Sequence, residues 1–250
     1  MRHTICFDGE LRVIDIRLMD ESFIVFRKMY TPPLTPENIG KINPGDWSEH
    51  LERFREKRWQ DIIKEFFRKQ IRTIGSCGVL AWDREGVIGK MYFTTKELYE
   101  TFRKRGHFCV GYYCVEHERM PRIIQSMSDE DLDRLLASPS ETLRIGCFNI
   151  GHSDERYHGK GIASAMISLL KRWASERGWK RLETLAYPDV VPRSWAPHIL
   201  RTGALERRGF HVVEESKITA EEMAQRRAYL NLKGELDKEF DKEYLMAFDL

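Results

Sequence analysis

Residues 154–166 read DERYHGKGIASAM, and this stretch joins a strand pattern to a helix pattern. Before it, LRIGCFNI (143–150) is an apolar run typical of a buried strand. After it, apolar residues recur at helical intervals from Ile162, and Gly178 is well placed to end that helix. A strand that runs through a glycine loop into a helix predicts several backbone N–H groups aimed at one point.

Such a loop favours an anion, because free N–H groups and the helix dipole both attract negative charge. Gly159 and Gly161 lack the Cβ atoms that would keep a phosphate from the main chain, and Arg156 and Lys160 add positive charge. The spacing is not that of a P-loop, and Ser164 replaces the third glycine of a dinucleotide-binding loop. Taken alone, the segment also fits a tight strand–helix connection that binds nothing.

The composition is that of a globular protein with no strong bias toward nucleic acid. Of the 250 residues 42% are hydrophobic, which is enough for a buried core. Lys and Arg number 41 against 39 Asp and Glu, and this near balance argues against a dedicated nucleic-acid binder. The five cysteines are scattered and form no C-x-x-C pair, which is typical of reduced thiols. No apolar run approaches the ~20 residues of a membrane span, so we expect a cytoplasmic protein.

The remaining chain alternates between strand and helix patterns. Strands are predicted at 10–18, 107–115, 143–150, 181–187, 210–216 and 243–250, and a hairpin across 78–93 turns at Asp83–Gly86. Helices are predicted at 21–30, from Asp46 to Phe67, after Ser128, at 162–177, at 198–208 and after 219. This order favours an α+β or α/β fold with a mixed sheet.

The segment RYHGKGIA (156–163), followed about forty residues later by ALERRGF (204–210), resembles a known signature. It is similar to the acyl-CoA-binding motif R/Q-x-x-G-x-G/A of the GNAT (N-acetyltransferase) superfamily. Arg156, Gly159 and Gly161 match all three specified positions. Residues 143–216 resemble the whole core of that superfamily: strand, pyrophosphate loop, helix, strand, helix, Gly-Phe and strand.

The resemblance implies a single GNAT-like domain with a mostly antiparallel central sheet, flanking helices and helical insertions. Its expected parts are a first strand and helix (1–30), an extra helical region (31–72), a sheet hairpin and strand (73–115), an insertion (116–142), the acyl-CoA-binding core (143–216) and a C-terminal helix with the last strand (217–250). Residues 31–72 and 116–142 lie outside the common core, where such proteins usually build acceptor specificity.

The implied activity is transfer of an acetyl group from acetyl-CoA, as co-substrate, to an amine by direct attack in a ternary complex. Main-chain groups near Phe148, Asn149 and Ile150, at the splayed end of the strand, would pair with the pantetheine arm and polarise the thioester carbonyl. The pyrophosphate would be held by the loop formed by Arg156, Tyr157, His158, Gly159, Lys160, Gly161, Ile162 and Ala163.

The proton donor is unassigned by the resemblance. In many members it is a tyrosine four residues before the glycine of the Gly-Phe pair, and Leu205 stands there in this chain. Tyr187, Ser194 or His198 could protonate the leaving thiolate instead, or the thiolate could leave unprotonated.

The general base has three candidates: Glu183, His152 and the cluster Glu116–His117–Glu118. Each also has a plainer interpretation, since Glu183 could be a solvated or salt-bridged strand residue and His152 a surface loop residue. Adjacent strand residues point to opposite faces, so the cluster does not predict a metal site. Glu183, Tyr187 and His152 are therefore the candidate catalytic residues, and no metal is expected.

Two other classes of function stay open. A regulatory or sensing module could bind acyl-CoA without transferring the acyl group, and Leu205 together with the lack of a carboxylate in 145–150 keeps this alternative alive. Nucleic-acid binding is weakened by the net charge of +2. The expected partner is an amine acceptor, either a small molecule or a peptide, with no nucleic acid and no membrane; a homodimer is compatible with the sequence.

Overall fold

A computed structural model of the chain describes residues 1–7, 9–21, 57–83, 86–105, 119–150, 155–189, 200–218, 220, 223 and 241–250. The strands are β1 (Arg2–Phe7), β2 (Glu10–Leu18), β3 (Gly78–Asp83), β4 (Gly86–Thr95), β5 (Thr142–Ile150), β6 (Arg181–Ala186), β7 (His211–Lys217) and β8 (Lys242–Asp249). The helices are α1 (Lys57–Ile74), α2 (Lys96–Lys104), α3 (Arg119–Gln125), α4 (Asp129–Ala137), α5 (Ile162–Glu176) and α6 (Thr202–Glu206).

The strands form one eight-stranded sheet in the order β1-β2-β3-β4-β5-β6-β8-β7. All neighbouring pairs are antiparallel except β5 and β6, which α5 connects as a crossover helix. The predicted mixed, mostly antiparallel sheet flanked by helices is therefore confirmed. The element order implied for 143–216 is also present, from β5 through α5, β6 and α6 to β7.

Helices cover both faces of this sheet. On one face α5 lies across β2 and β3, and its apolar side chains pack with the buried side chains of those strands. On the other face α1, α2, α3 and α4 form a second core cluster. There the rings of Phe67 and Tyr92 stack with centroids 5.5 Å apart. Burial of these two apolar faces is the main stabilising contribution to the fold.

The first strand, β1, is absent from the sequence prediction, which placed the first strand at 10–18. β1 pairs with β2 as a hairpin in register Phe7↔Glu10, and Gly9 takes φ +83° in the turn between them. Asp8-Gly9 is a strong hairpin signal, and Ile5 and Phe7 alternate with exposed neighbours along β1.

Helix α2 is a second correction, because the prediction for 73–115 contained a hairpin and a strand but no helix. Thr95 begins α2 as its N-cap, and its hydroxyl accepts a hydrogen bond from the Leu98 N–H at 3.4 Å. Glu97 lies in the first turn, and Arg103 and Lys104 lie in the last, where each charge complements the helix dipole.

The insertion at 116–142 contains two helices in its described part, α3 and α4, where a single helix was predicted. The predicted cap is confirmed, because the Ser128 hydroxyl accepts from the Asp131 N–H at 3.0 Å. Lys69 of α1 holds this region to the core, with its ammonium 2.7 Å from Asp129 and 3.1 Å from Asp133.

Other predictions are confirmed where the structure describes them. The hairpin forms from β3 and β4, α5 begins at Ile162, and Gly178 follows its end at φ +80°. The predicted helix at 21–30, the capping residues Asp46 and Glu49, the strand at 107–115 and the helix after 219 lie essentially outside the described residues. None of the helices in the described part of the chain is long and apolar enough to cross a membrane.

Lys171 of α5 gives the fold a measurable dependence on pH. Its ammonium donates to the carbonyl of Arg208 and lies 3.3 Å from the ring centroid of Phe248. Burial, with a smaller contribution from the charge of Arg208, lowers the pKa of Lys171 from 10.5 to about 8. Between these values the unfolded state binds more protons than the folded state, so stability rises with pH across that window.

Replacing Lys171 with methionine is expected to remove this contribution. Urea denaturation near pH 7.5 and pH 10 measures it as the difference in unfolding free energy between the wild type and the variant. Relative to the variant, the wild type should gain stability at the higher pH. A difference that does not change with pH would contradict the lowered pKa.

Candidate functional site

The site begins where β5 separates from β6. These parallel strands pair over four residue pairs, the last being Ile145↔Thr184, whereas β5 stays paired with β4 as far as Ile150. A bulge at Gly146, directly after the last pair, bends β5 at the point of separation. The Thr184 hydroxyl donates to the Ile145 carbonyl at 3.2 Å and holds the last joined residues together.

The separated end of β5 carries Phe148, Asn149 and Ile150, the residues predicted to meet the pantetheine arm. In the described part of the sheet, all three residues pair with β4. Their other edge no longer pairs with β6, so an extended ligand can hydrogen-bond to it as a further strand would. Phe148 is buried, whereas Ile150 is half-buried at the end of the strand.

The glycine loop connects this strand end to α5. A 3₁₀ turn spans Glu155–Tyr157, and Gly159 and Gly161 follow with φ of +71° and +78°. L side chains are strained at such angles, which explains why the chain needs two glycines here. A Cβ on Gly159 would meet nothing within 4 Å, whereas a Cβ on Gly161 would lie 3.2 Å from Nε2 of His3. Gly159 therefore borders open space that a phosphate can enter.

The loop combines unpaired backbone donors with two exposed cationic side chains. Gly161 is the N-cap of α5 and supplies no capping side chain, so the first N–H groups of the helix, from Ile162 and Ala163 onward, need an acceptor from outside the helix. Arg156 and Lys160 are exposed beside them. The arrangement provides backbone donors, a helix dipole and cations at one place, which is what binding of a phosphate or pyrophosphate requires.

Two residues fasten the loop to the rest of the molecule. His158 donates from Nε2 to the Ile150 carbonyl at 2.8 Å, which ties the loop to the end of β5. Tyr157 is buried, and its hydroxyl donates to Oδ2 of Asp83 at 2.5 Å. Arg12 lies 3.5 Å from the same carboxylate and 3.4 Å from the tyrosine hydroxyl. The Tyr157 side chain is thus an anchor for the loop, and Asp83 and Arg12 are supporting residues that the sequence analysis did not identify.

Replacing Tyr157 with phenylalanine is expected to lower the free energy of unfolding by about 1–3 kcal/mol, because the buried Asp83 carboxylate loses a donor. CoA affinity should fall with it, since the loop loses its anchor. Urea denaturation and calorimetric titration with CoA check the two effects. The half-buried Tyr244 on β8 provides a control, and an equal loss of CoA affinity in Tyr244→Phe would contradict the specific role of Tyr157.

Glu183, one of the candidate bases, lies in a buried ion-pair network. Its carboxylate is 2.6 Å from Nη2 of Arg144 and 3.4 Å from Nζ of Lys96. The side chains of Glu183 and Arg144 are only 2% and 4% exposed. They lie on the face covered by α2, one residue before the point where β5 and β6 separate. Two cations already bind this carboxylate, which favours the salt-bridged interpretation over that of a free base.

Tyr187, the candidate acid, is buried at the end of β6, beside the separation from β5. Its backbone is fixed to the start of α6, because the Thr202 N–H donates to the Tyr187 carbonyl at 3.0 Å. Leu205 is completely buried in the core beneath α5. His152, Ser194 and His198 lie outside the described residues.

The described residues provide no metal site. Among the residues that the structure describes, no group of three or more His, Cys, Asp or Glu side chains lies close enough to hold a metal ion. The cluster Glu116–His117–Glu118 falls in the undescribed segment 106–118.

Comparisons with known proteins give structural likenesses only. No protein-family model matches the chain, and neither does any curated protein. An acetyltransferase of the GNAT family from Streptococcus pneumoniae is similar in structure, with 12% identity, coverage of 95% of this chain and 99% of its own, and a TM-score of 0.44. The polyamine N-acetyltransferase of Drosophila melanogaster shows 8% identity, 95% and 100% coverage, and a TM-score of 0.43. Ard1 from Thermoplasma volcanium shows 9% identity, 95% and 97% coverage, and a TM-score of 0.41.

Acetyltransferases of known structure are thus among the proteins that this chain is similar to. Identities of 8–12% and TM-scores of 0.41–0.44 are too low to assign an activity. The geometry of the loop and of the separated strands is the stronger indication of function.

Proposed function

We propose that this protein is an acyl-CoA-dependent N-acetyltransferase of the GNAT superfamily. One observation carries the proposal. β5 leaves β6 after Ile145 and passes through a loop with two left-handed glycines into an α-helix whose N-terminus has no capping side chain. An extended strand edge beside a phosphate-binding loop suits a ligand that has both an amide-bearing arm and a pyrophosphate, as CoA has.

The described residues suggest how acetyl-CoA would bind. The pyrophosphate would accept hydrogen bonds from amides between Gly159 and Ala163, with Arg156 and Lys160 nearby. The pantetheine arm would pair with the free edge of 148–150, which brings the thioester to the place where the two strands separate. A backbone N–H there would stabilise the negative charge that develops on the thioester oxygen.

The reaction would be direct aminolysis of the thioester. The amine nitrogen attacks the carbonyl carbon, the new C–N bond forms, and the C–S bond breaks with CoA leaving as the thiolate. The amine gives up one proton, and the thiolate takes one up from an acid or from water. Tyr187 lies three residues after the last β6 residue paired with β5, and we propose its phenol as the acid. The acceptor is the amine of a small molecule or a peptide.

Three measurements test this function. Native mass spectrometry of the purified chain and calorimetric titration with CoA should show one CoA site per chain. Thiol release from acetyl-CoA in the presence of an amine library should then exceed the rate of hydrolysis for at least one acceptor. No CoA binding by the folded protein would overturn the proposal.

A second candidate is an acyl-CoA-binding module that transfers nothing. It is favoured by the burial of Leu205 where the superfamily often has its acid, and by the pairing of Glu183 with Arg144 and Lys96. Saturable CoA binding without thiol release for any amine would select this alternative.

A further inference from the structure

The N-terminal strand β1 reaches the glycine loop, although 157 residues separate the two contacting positions along the chain. Nε2 of His3 lies 2.8 Å from the carbonyl oxygen of Lys160. It is also the nearest atom to a Cβ built on Gly161, at 3.2 Å. The ring therefore lies directly against the Lys160–Gly161 peptide.

The direction of this hydrogen bond follows from its chemistry. A carbonyl oxygen can only accept, so Nε2 carries the hydrogen and donates it. The Lys160 carbonyl and the Gly161 N–H belong to one peptide group. A hydrogen bond to the oxygen polarises that group and makes the N–H a stronger donor, because linked hydrogen bonds strengthen one another. The bond also fixes the plane of the peptide and hence the direction of its N–H.

A second contact places a charge beside the same loop. Phe7 of β1 is buried except for 2% of its surface, and the guanidinium carbon of Arg156 lies 4.5 Å from its ring centroid. A guanidinium on an aromatic face is attracted to it and loses part of its freedom. Arg156 is exposed, and this contact helps to hold its long side chain next to the loop.

We propose that β1 is part of the phosphate-binding site. His3 acts as a positioning residue for the Gly161 N–H, and Phe7 holds Arg156 where the phosphates bind. The ligand group concerned is the pyrophosphate of acyl-CoA, so β1 determines how tightly the site holds the nucleotide end of the co-substrate. This inference rests on the proposed function.

Titration calorimetry with CoA tests the proposal. It is carried out on three variants of the full chain, each with one substitution in the β1–β2 hairpin. Any affinity tag belongs at the C-terminus, because β1 begins at Arg2. His3→Ala should raise the Kd of CoA about 3- to 10-fold, the value of roughly one hydrogen bond. His3→Gln keeps an N–H donor at a similar reach and should restore most of the affinity. Leu11→Ser is the matched control, since Leu11 lies on the same hairpin with 79% of its surface exposed.

The results distinguish a positioning role of His3 from a purely structural role and from no role in CoA binding. Weaker CoA binding in His3→Ala, recovery in His3→Gln, and thermal melting within a few degrees of the wild type support the proposal. Equal CoA affinity in the wild type and His3→Ala overturns it. A loss that His3→Gln does not recover, accompanied by a lower melting temperature, also overturns it, because the role is then structural. A wild-type chain that binds no CoA overturns the proposed function, and this inference with it.

Discussion

Replacing Gly159 with alanine is expected to weaken CoA binding by about 10- to 100-fold, the value of one charge-assisted hydrogen bond of ~1.5–3 kcal/mol. Gly159 has φ +71°, and a Cβ built on it would meet no other atom within 4 Å. A methyl group would occupy the space through which a phosphate approaches the loop amides. Calorimetric titration with CoA measures the loss directly.

Gly178 supplies the matched control for this substitution. It has φ +80°, and a Cβ there would also meet nothing within 4 Å, but it follows the other end of α5. Both alanine variants carry the left-handed strain of about 1–2 kcal/mol, which urea denaturation should show in each. Only Gly159→Ala should lose CoA affinity. Equal CoA affinities in the two variants would contradict the assignment of the loop.

Replacing Glu183 with glutamine is expected to lower the free energy of unfolding by about 3 kcal/mol, because the buried Arg144 guanidinium then keeps only the more exposed Glu100, 3.6 Å away, as an anionic partner. The partner Arg144 is 4% exposed, and the two side chains are 2.6 Å apart. Lys96, at 32% exposure, can find water more readily. Urea denaturation measures the effect, and an unchanged free energy of unfolding would show that the pair contributes little.

The double variant Arg144→Met/Glu183→Leu separates stability from catalysis. Replacing both charges with apolar groups should recover most of the stability lost in Glu183→Gln, since no unpaired ion is left in the core. If the double variant transfers acetyl groups as fast as the wild type, Glu183 is structural. If the stable double variant remains inactive, while CoA still binds, Glu183 takes part in the reaction.

The part of the fold that sequence predicted best is the unit around the loop. The strand at 143–150, the helix from Ile162 and the strand at 181–187 were predicted because each has a clear apolar period and the segment between the first two contains glycines. The parallel pairing of β5 and β6 follows from having a helix between them. The hairpin at 78–93 was predicted from its turn residues in the same way.

Two elements, β1 and α2, were missing from the prediction although each has a local sequence signal. Helix α2 carries an N-cap at Thr95 and suitable charges at both ends, yet it directly follows a strand rich in β-branched and aromatic residues. The hairpin of β1 and β2 has its Asp8-Gly9 turn, but the strand predicted in this region began only at Glu10. In both cases the apolar pattern was short, so capping and turn residues were the better guide.

The supporting residues of the candidate site could not be predicted, for a different reason. Asp83 and Tyr157 are 74 positions apart, and nothing in their local patterns relates them. Arg144 and Glu183 become neighbours only through the register of a parallel pair. Sequence spacing reports contacts within a helix or a strand, whereas these contacts depend on how the elements are arranged in the sheet.

The position of β1 at the edge of the sheet has a consequence for dynamics. An edge strand is hydrogen-bonded on one side only and is normally among the first segments to open, and here the same strand touches the glycine loop through His3. We therefore expect the β1–β2 hairpin to open and the glycine loop to loosen together. A ligand that fills the loop should slow hydrogen exchange in the backbone amides of residues 2–7, so the N-terminus of the chain reports on a site formed near residue 160.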